Sequence, residues 1–208
     1  MTKWPQLFFA RHGETSWNRE RRYQGKKDIP LNETGQKQAD SIGPLLVDML
    51  AANNVDPTQI DWYVSPLSRA KETMERMRKA FSGDLPDVQT DDRLIEISFG
   101  IMEGKLHSEL EIDSPVPVGE RTAEYWDFRP PQGECYQDVV DRLSSFASGL
   151  DKTTIVVAHG GVLRAVRHMI SHMPRQEALN WSVPQGAIAH FLDGEMTMHF
   201  APTQDEIK

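Results

Sequence analysis

The chain has 208 residues, of which 38% are hydrophobic and 26% are charged, and its formal net charge is −8. This length predicts a single domain over residues 1–208, since single domains commonly reach about 150 to 250 residues. The acidic balance argues against a nucleic-acid or anionic-membrane surface, because both need clustered Lys and Arg. No apolar run approaches the ~20 residues that cross a bilayer, and the start lacks the pattern of a signal peptide.

A single cysteine, Cys135, limits the covalent and metal chemistry of the chain. One thiol cannot close an intramolecular disulfide or form a thiolate cluster, which is typical of a reducing compartment. We therefore expect a cytoplasmic protein, in which Cys135 is a small half-buried side chain. The sequence leaves the oligomeric state open, a homodimer included.

Strand and helix patterns alternate along the chain. They predict a buried strand at 6–10, a helix at 34–52, a strand at 60–66, a helix at 67–81, a helix at 133–150, a strand at 153–161 and a helix at 162–173. Thr34 is the expected N-cap of the second element, and Pro44 should bend or interrupt it. This order favours an α/β fold.

The end of the chain predicts a different pairing. Two runs of strand-forming residues at 187–201 flank Asp193-Gly194, the usual signal of a two-residue hairpin. The expected fold is a three-layer sandwich: a mostly parallel sheet with helices on both faces and an antiparallel edge hairpin near the C-terminus. The final residues, 202–208, are polar and are expected to fray.

A less regular stretch, residues 98–132, separates the predicted strands at 60–66 and 153–161. It holds four prolines and many acidic residues. Long connections in compact domains often serve as lids or binding segments, so we expect this excursion to cover the substrate. Its acidic composition argues against a highly anionic leaving group.

Histidines and arginines lie at or shortly after the ends of three of the predicted strands. The first strand runs into Arg11-His12-Gly13, Arg69 lies in the first turn of the helix at 67–81, and the third strand runs into His159-Gly160. In an open parallel sheet the carboxyl ends of strands form the ligand-binding edge, and helix N-termini add N–H donors there. Such a cation cluster suits a phosphoryl group, toward which a neutral imidazole is a good nucleophile.

Five ordered segments carry a resemblance to a known family. They read "RHGETSWN…YQG", "SPLSRAKET", "DDRLIEISFGIMEG", "GECYQDVVDR" and "VVAHGGVLRA". Together they are similar to the successive motifs of the histidine phosphatase superfamily, in the phosphoglycerate mutase-like branch 1 that includes broad-specificity phosphatases. The resemblance spans residues 7 to about 192, and five motifs in order are far more specific than one.

The resemblance implies a role for each matching residue. His12 would be the nucleophile that becomes phosphohistidine, and Glu96 would protonate the leaving oxygen and then activate water. The remaining matches fall into two groups: Arg11, Arg69, Asn18 and His159 would hold the phosphoryl oxygens, and Gln24, Gly25 and Gly160 would line the pocket. Apolar neighbours disfavour the charged form of Glu96 and nearby cations favour it, and the sequence leaves this balance open.

Several other residues have more ordinary interpretations. Arg19, Arg21 and Arg22 fit a solvated loop about as well as a basic patch. His168 and His172 are four residues apart on a predicted helix but lack a third metal ligand, so we interpret them as a surface pair. The tryptophans are interpreted as packing anchors: Trp62, Trp126 and Trp181.

The predicted function is hydrolysis of a small phosphomonoester. One alternative is a cofactor-dependent phosphoglycerate mutase, although Asp127-Phe128 stands after Trp126 where mutases show an Arg pair. The other is a non-catalytic binding protein on the same fold. The cluster of arginines, histidines and helix N-termini supplies positive charge by itself, so we expect no metal and no other cofactor. The physiological substrate is beyond the sequence.

Overall fold

The computed structural model describes residues 4–109 and 122–201. The sheet in this part of the chain has six strands in the order β3-β2-β4-β1-β5-β6. Their bounds are β1 Leu7–Arg11, β2 Asp61–Val64, β3 Val88–Thr90, β4 Thr154–Ala158, β5 Ala187–Leu192 and β6 Glu195–Phe200. Strands β1 to β4 pair in parallel, whereas β5 runs antiparallel to both β1 and β6.

Six α-helices that lie wholly within the described residues accompany these strands. They are α1 Ser16–Arg19, α2 Glu33–Ala52, α3 Ser68–Arg78, α4 Tyr136–Ala147, α5 Gly160–Ser171 and α6 Arg175–Asn180. Short 3-10 helices occur at Asp92–Leu94, Gly100–Met102 and Ala123–Trp126. None of the described helices is long and apolar enough to cross a membrane.

The sheet is buried on both faces, as the side-chain alternation of β1 shows. Leu7 and Phe9 belong to the core that contains the apolar residues of α4, α5 and α6. Phe8 and Ala10 point the other way, into the core formed with α2 and α3. Successive strand residues face opposite sides, so an uninterrupted apolar run is what a two-sided strand needs. The predicted three-layer α/β sandwich and its C-terminal hairpin at Asp193-Gly194 are confirmed.

The prediction for the start of α2 was wrong by a few residues. Asn32, not Thr34, caps the helix, and its side-chain oxygen accepts a hydrogen bond from the Gly35 N–H at 2.8 Å. Asn and Thr are both good N-caps, and the sequence offered both within three positions. The helix also continues through Pro44, so the expected interruption does not occur.

Three of these helices and strands were missed by the sequence analysis. Helix α1 has only four residues, strand β3 has only three, and α6 begins directly after Pro174, so none gives a strong periodic signal. Residues 110–121 of the excursion and the tail at 202–208 lie outside the described residues. The single domain over 1–208 and the substrate-covering role of 98–132 stay predictions.

The topology places a crevice between β1 and β4. These strands are parallel neighbours, yet the helices that follow them, α2 and α5, pack on opposite faces of the sheet. At such a switch point the two connections diverge and leave space beyond the carboxyl ends of the strands. The residues after β1 and β4, His12 and His159, therefore line the same crevice.

Candidate active site

The two histidines lie side by side because the strands before them are in register. Arg11 of β1 pairs with Ala158 of β4, and the His12 N–H donates to the Ala158 carbonyl at 2.9 Å. The centroids of the His12 and His159 rings are 5.1 Å apart. Both side chains are almost completely buried. The predicted convergence of the two histidines is what the structure shows.

The tautomer of His12 is fixed by its own loop. Nδ1 lies 2.7 Å from the carbonyl oxygen of Gly13. A carbonyl can only accept a hydrogen bond, so Nδ1 carries the proton and Nε2 keeps its lone pair. The main chain can turn back in this way because Gly13 has no Cβ: such an atom would lie 2.2 Å from the carbonyl oxygen of Gly35. The geometry therefore makes Nε2 the nucleophilic nitrogen.

Arg69 lies directly against that nitrogen. Its Nε–H donates to His12 Nε2 at 3.3 Å, and its two terminal nitrogens donate to the carbonyls of Lys27 and Gly25 at 2.8 and 2.9 Å. The side chain is fully buried without a carboxylate as a direct partner in the described part of the chain. Burial lowers the pKa of Arg69, and the more distant carboxylates of Glu96, Asp28 and Glu103 act against that effect.

Arg11 provides the second guanidinium. Its Nη1 donates to the Val183 carbonyl at 2.7 Å, whereas its buried Nε has no hydrogen-bond partner in the described residues. Burial and the nearby Arg164 guanidinium lower the pKa of Arg11 to about 10. Gly160 lies beside this side chain, and a Cβ there would be 3.4 Å from Arg11 Nε. A buried N–H donor without a partner is costly, so the position suits an acceptor brought by a ligand.

His159 is held by a serine at the end of β2. Its Nε2 lies 2.6 Å from Ser65 Oγ, and its buried Nδ1 has no partner within the described ranges. His159 is also the N-cap residue of α5, so it lies at the positive end of that helix dipole. Burial and the adjacent Arg69 hold the pKa of His159 well below its ordinary value of 6.5. Burial, Arg69 and Arg11 lower the pKa of His12 in the same way.

Glu96 reaches the same crevice from the segment after β3. One carboxylate oxygen accepts from the Ile97 N–H at 3.0 Å, and the other accepts from the Gly161 N–H at 3.2 Å. Gly161 belongs to the first turn of α5, where N–H groups are free to bind an anion. A Cβ on Gly161 would lie 2.5 Å from Glu96 Oε1, so only glycine lets the carboxylate come this close.

Asn18 and Gln24 are oriented by their neighbours. The Thr15 hydroxyl donates to Gln24 Oε1 at 3.0 Å, and Gln185 Nε2 donates to Asn18 Oδ1 at 3.1 Å. Gln185 Nε2 also donates to the His12 carbonyl at 3.1 Å. Because the side-chain oxygens of Asn18 and Gln24 are used as acceptors, their NH2 groups remain as donors for an anion.

These side chains surround a cavity of about 310 Å³. Eight of the nine predicted site residues line it: Arg11, His12, Asn18, Gln24, Gly25, Arg69, Glu96 and Gly160. The ninth, His159, lies behind them against His12. Nine lining residues were not predicted as site residues: Glu14, Arg21, Arg22, Tyr23, Phe99, His107, Gly161, Arg164 and Gln185. Gln185 and His107 lie outside the quoted motifs and do not follow β1, β2 or β4, so neither signal pointed to them. Arg164 lies in the last quoted motif, but one turn into α5 rather than at the strand end.

The basic group near the first motif divides in the structure. Arg21 and Arg22 line the cavity, which the solvated-loop interpretation did not foresee. Arg19 is not among the lining residues, and its guanidinium pairs with Glu14 at 3.0 Å. Arg21 also has a left-handed main-chain conformation, with φ 58°.

Two minor predictions need correction. His168 is not at the surface: it is half-buried, its ring centroid is 4.6 Å from that of Trp126, and Nδ1 lies 2.6 Å from the Met173 carbonyl. Cys135 is buried rather than half-buried, and its N–H donates to Asp138 at the start of α4.

The packing interpretation of Trp62 and Trp126 is confirmed, since both are fully buried. Trp181 is half-buried and lies beneath the Arg167 guanidinium, which is 4.3 Å from its ring centroid. No three His, Cys, Asp or Glu side chains in residues 4–109 and 122–201 are arranged to hold a metal ion.

Fold and site together define an α/β enzyme of phosphoryl transfer with histidine at its centre. A family model described as histidine phosphatase superfamily (branch 1) matches residues 7–197. The chain is 34% identical to an uncharacterized phosphatase, PhoE, of Bacillus subtilis (strain 168), over 78% of this chain and 75% of PhoE. It is 29% identical to 2,3-bisphosphoglycerate-dependent phosphoglycerate mutase 2 of Gloeobacter violaceus, over 97% and 93% of the two chains. The chain belongs to the histidine phosphatase superfamily, branch 1.

Solved structures show the same fold. A crystal structure of an Escherichia coli K-12 protein, provisionally assigned as an alpha-ribazole-5′-P phosphatase, has a TM-score of 0.74 and 25% identity over 97% of this chain and 98% of that one. A mycobacterial glucosyl-3-phosphoglycerate phosphatase in complex with VO3 has a TM-score of 0.72 and 24% identity over 89% and 92%. The predicted family, fold class and histidine phosphatase type of enzyme are confirmed.

Proposed function

We propose that the protein hydrolyses small phosphomonoesters through a phosphohistidine formed on His12 Nε2. One observation carries this proposal: the hydrogen bond from Nδ1 to the Gly13 carbonyl, which leaves Nε2 as a lone-pair nitrogen beside the guanidinium of Arg69. The pKa of His12 lies well below 6.5, so this nitrogen is unprotonated at neutral pH.

In the first step Nε2 attacks phosphorus and the bond from phosphorus to the ester oxygen breaks. The Arg69 Nε–H, which donates to the lone pair of His12 Nε2, transfers its hydrogen bond to a phosphoryl oxygen. Arg11 Nε and His159 Nδ1 are the buried atoms left to bind the other oxygens. Glu96 gives its proton to the leaving oxygen, which departs as an alcohol. The imidazolium that forms is stabilised through Nδ1–H by the Gly13 carbonyl.

In the second step water replaces histidine on phosphorus. The Glu96 carboxylate takes a proton from the water, whose oxygen attacks phosphorus while the bond to Nε2 breaks. Inorganic phosphate leaves, and Glu96 is again protonated for the next cycle. The two N–H groups that hold the carboxylate, from Ile97 and Gly161, keep it in one place through both steps.

Hydrolysis is favoured over a mutase reaction by the surroundings of Trp126. The mutase motif would bring an Arg pair after this residue, whereas here Asp127 forms an ion pair with Arg175 at 3.1 Å. No residue of the described stretch 122–132 lines the cavity. This segment therefore supplies no cations to hold a bisphosphate or to retain the phosphorylated intermediate against water.

The proposal is tested by phosphate release from a chromogenic aryl phosphate. We expect His12→Ala to lose at least about 10³ in kcat, because the nucleophile itself is removed. His172→Ala is the matched control, since this histidine is exposed and outside the cavity. Equal rates for His12→Ala and the unaltered protein would refute the proposal and favour a binding protein on the same fold.

The mutase alternative is tested separately. Purified protein is incubated with 3-phosphoglycerate, and the formation of 2-phosphoglycerate is followed beside the release of inorganic phosphate. We expect phosphate release to be faster. Interconversion faster than release would establish the alternative.

The remaining sequence predictions are carried forward with this function. We propose a cytoplasmic enzyme without a nucleic-acid partner, supported by the single cysteine and the net charge of −8. A homodimer is tested by light scattering, and chelator treatment tests the prediction that the enzyme needs no metal.

A further inference from the structure

The cavity holds more positive charge than a phosphoryl group can neutralise. Five arginines line it: Arg11, Arg21, Arg22, Arg69 and Arg164. Arg22 is paired with Glu20, and the lining carboxylate of Glu14 is occupied by Arg19. Glu96 is bound by main-chain N–H groups and serves as the proposed acid. A phosphate dianion beside Arg11 and Arg69 leaves Arg164 and Arg21 without an anion in the described part of the site.

Arg164 is held next to Arg11 by one short segment of main chain. The Trp181 carbonyl accepts from Arg164 Nε at 3.1 Å, and the Val183 carbonyl accepts from Arg11 Nη1 at 2.7 Å. The two guanidiniums are thus anchored to carbonyls of the same short segment. Their mutual repulsion is the largest effect on the Arg11 pKa after burial.

The position of Arg164 on α5 directs its side chain to the cavity. Arg164 follows Gly160 by four residues, so both lie on the same face of the helix. Side chains on a helix lean toward its N-terminus, which here is the end at the active site. With Nε bound to the main chain, the terminal nitrogens of Arg164 remain as a fork of donors beyond the phosphoryl position.

Arg21 lines the cavity from another element. It belongs to the loop after α1, has φ 58°, and its carbonyl accepts from the His107 N–H at 2.9 Å. This places a second, exposed guanidinium in the lining. This hydrogen bond of the main chain holds the loop at Arg21, and the Arg21 side chain extends from it into the cavity lining.

We infer that Arg164, assisted by Arg21, forms a subsite for a second anionic group, a carboxylate or a phosphate, on the leaving group of the substrate. The inference rests on the proposed phosphatase function and specifies its substrate class. The acidic composition of residues 98–132 argued against a highly anionic leaving group. That expectation used the charge of the whole segment, whereas the described lining of the cavity is basic.

The experiment compares substrates that differ only at the far end of the leaving group. Alkyl phosphates with about two to five carbons are prepared with a terminal hydroxyl, carboxylate or second phosphate, and kcat/KM is measured for each. The variants are Arg164→Gln, Arg164→Lys and, as a matched loss of one positive charge elsewhere, Arg76→Gln. Arg76 lies on α3 and pairs with Asp40 and Glu72, away from the cavity.

We expect the unaltered enzyme to prefer an anionic terminus over the hydroxyl by about tenfold to a hundredfold at one chain length, the range of a charge-assisted hydrogen bond. Arg164→Gln should bring this ratio close to one, Arg164→Lys should keep part of it, and Arg76→Gln should keep all of it. Whichever terminus is preferred identifies the anion as carboxylate or phosphate.

A ratio near one at every length in the unaltered enzyme, or a ratio that Arg164→Gln does not change, would overturn the inference while leaving the phosphatase function intact. Absence of phosphate release from all the substrates would instead overturn the proposed function itself.

Discussion

The Glu103 carboxylate oxygen Oε1 lies only 2.0 Å from the place that a Cβ atom on Gly25 would occupy. The same oxygen accepts hydrogen bonds from the main-chain N–H groups of Lys26 and Phe99, each at 3.1 Å. Gly25 in turn offers its carbonyl to Arg69 Nη2 at 2.9 Å. Glu103 thus holds the loop at Gly25 and Lys26 in place, and this loop in turn holds the Arg69 guanidinium next to His12. A side chain on Gly25 would displace the Glu103 carboxylate, and the φ of 52° at Gly25 would strain it further.

We therefore predict that Gly25→Ala reduces kcat/KM by about tenfold to a hundredfold, since a shift of the loop misplaces Arg69. The control is Gly83→Ala. Gly83 also has positive φ, 86° against 52° at Gly25, but nothing lies within 4 Å of its Cβ position. Both variants carry the backbone strain of a left-handed alanine, so both should lose some stability. Kinetic loss of equal size in both would contradict the proposed role of the Gly25 and Glu103 contact.

A second prediction concerns the contact between Gly161 and Glu96. Gly161→Ala would place a Cβ 2.5 Å from the carboxylate and 2.8 Å from Ile97 Cγ2, so Glu96 must move. We expect kcat to fall by about 10², the lower range for loss of a general acid. In Gly149→Ala the new methyl group meets only the Phe146 carbonyl, at 3.6 Å, so activity should be unchanged. Steady-state kinetics are measured for both variants, and circular dichroism spectra show whether each variant is folded. A loss of kcat in folded Gly161→Ala indicates displacement of Glu96, whereas an altered spectrum indicates unfolding.

The acid role of Glu96 predicts a dependence on the leaving group. Glu96→Gln cannot give a proton, so alkyl phosphates should lose about 10² to 10⁴ in kcat/KM. A 4-nitrophenyl ester needs little protonation and should lose much less. Because the second step also uses Glu96, phosphohistidine should accumulate and appear as a burst of nitrophenol. Glu75→Gln, an exposed carboxylate on α3, serves as the control. An equal loss with both kinds of ester would argue against proton donation by Glu96.

The two buried histidines predict how stability depends on pH. The pKa values of His12 and His159 are lowered on folding, so between those values and 6.5 the unfolded chain binds more protons than the folded one. The free energy of unfolding therefore falls as the pH decreases below 6.5, by roughly 1 kcal/mol for each histidine at pH 5.5. Well above pH 6.5 both histidines are neutral in the folded and in the unfolded chain, so they no longer make the free energy of unfolding depend on pH.

This dependence is measured by urea unfolding at pH 7.5 and 5.5 in phosphate-free buffer. In His12→Gln the decrease between the two pH values should be smaller than in the unaltered protein by roughly 1 kcal/mol. The exposed His172 provides the control variant His172→Gln, whose decrease should match the unaltered protein. An unchanged decrease in His12→Gln would show that this imidazole does not titrate differently in the folded chain.

By itself the sequence determined the layers of the fold and the centre of the site. The two-sided apolar run at Leu7–Ala10 requires a strand covered on both faces, and the Asp193-Gly194 hairpin is set by local turn chemistry. The residues directly after β1 and β4, His12 and His159, could be placed together because parallel strands end at one edge. Such features depend on neighbours in sequence or on general rules of sheet topology.

Only the tertiary structure decided the rest of the cavity. Gln185 and Arg164 reach His12 and Arg11 through contacts between segments more than 150 residues apart. Arg21 lines the cavity and Arg19 does not, although both belong to the same basic loop. Arg21 has a positive φ, which could not be predicted from its side chain. Close approaches such as Gly25 to Glu103 depend on packing between distant segments, which a periodic pattern cannot express. The identity of the nucleophile was therefore local information, whereas the charge around the leaving group was set by the folded chain.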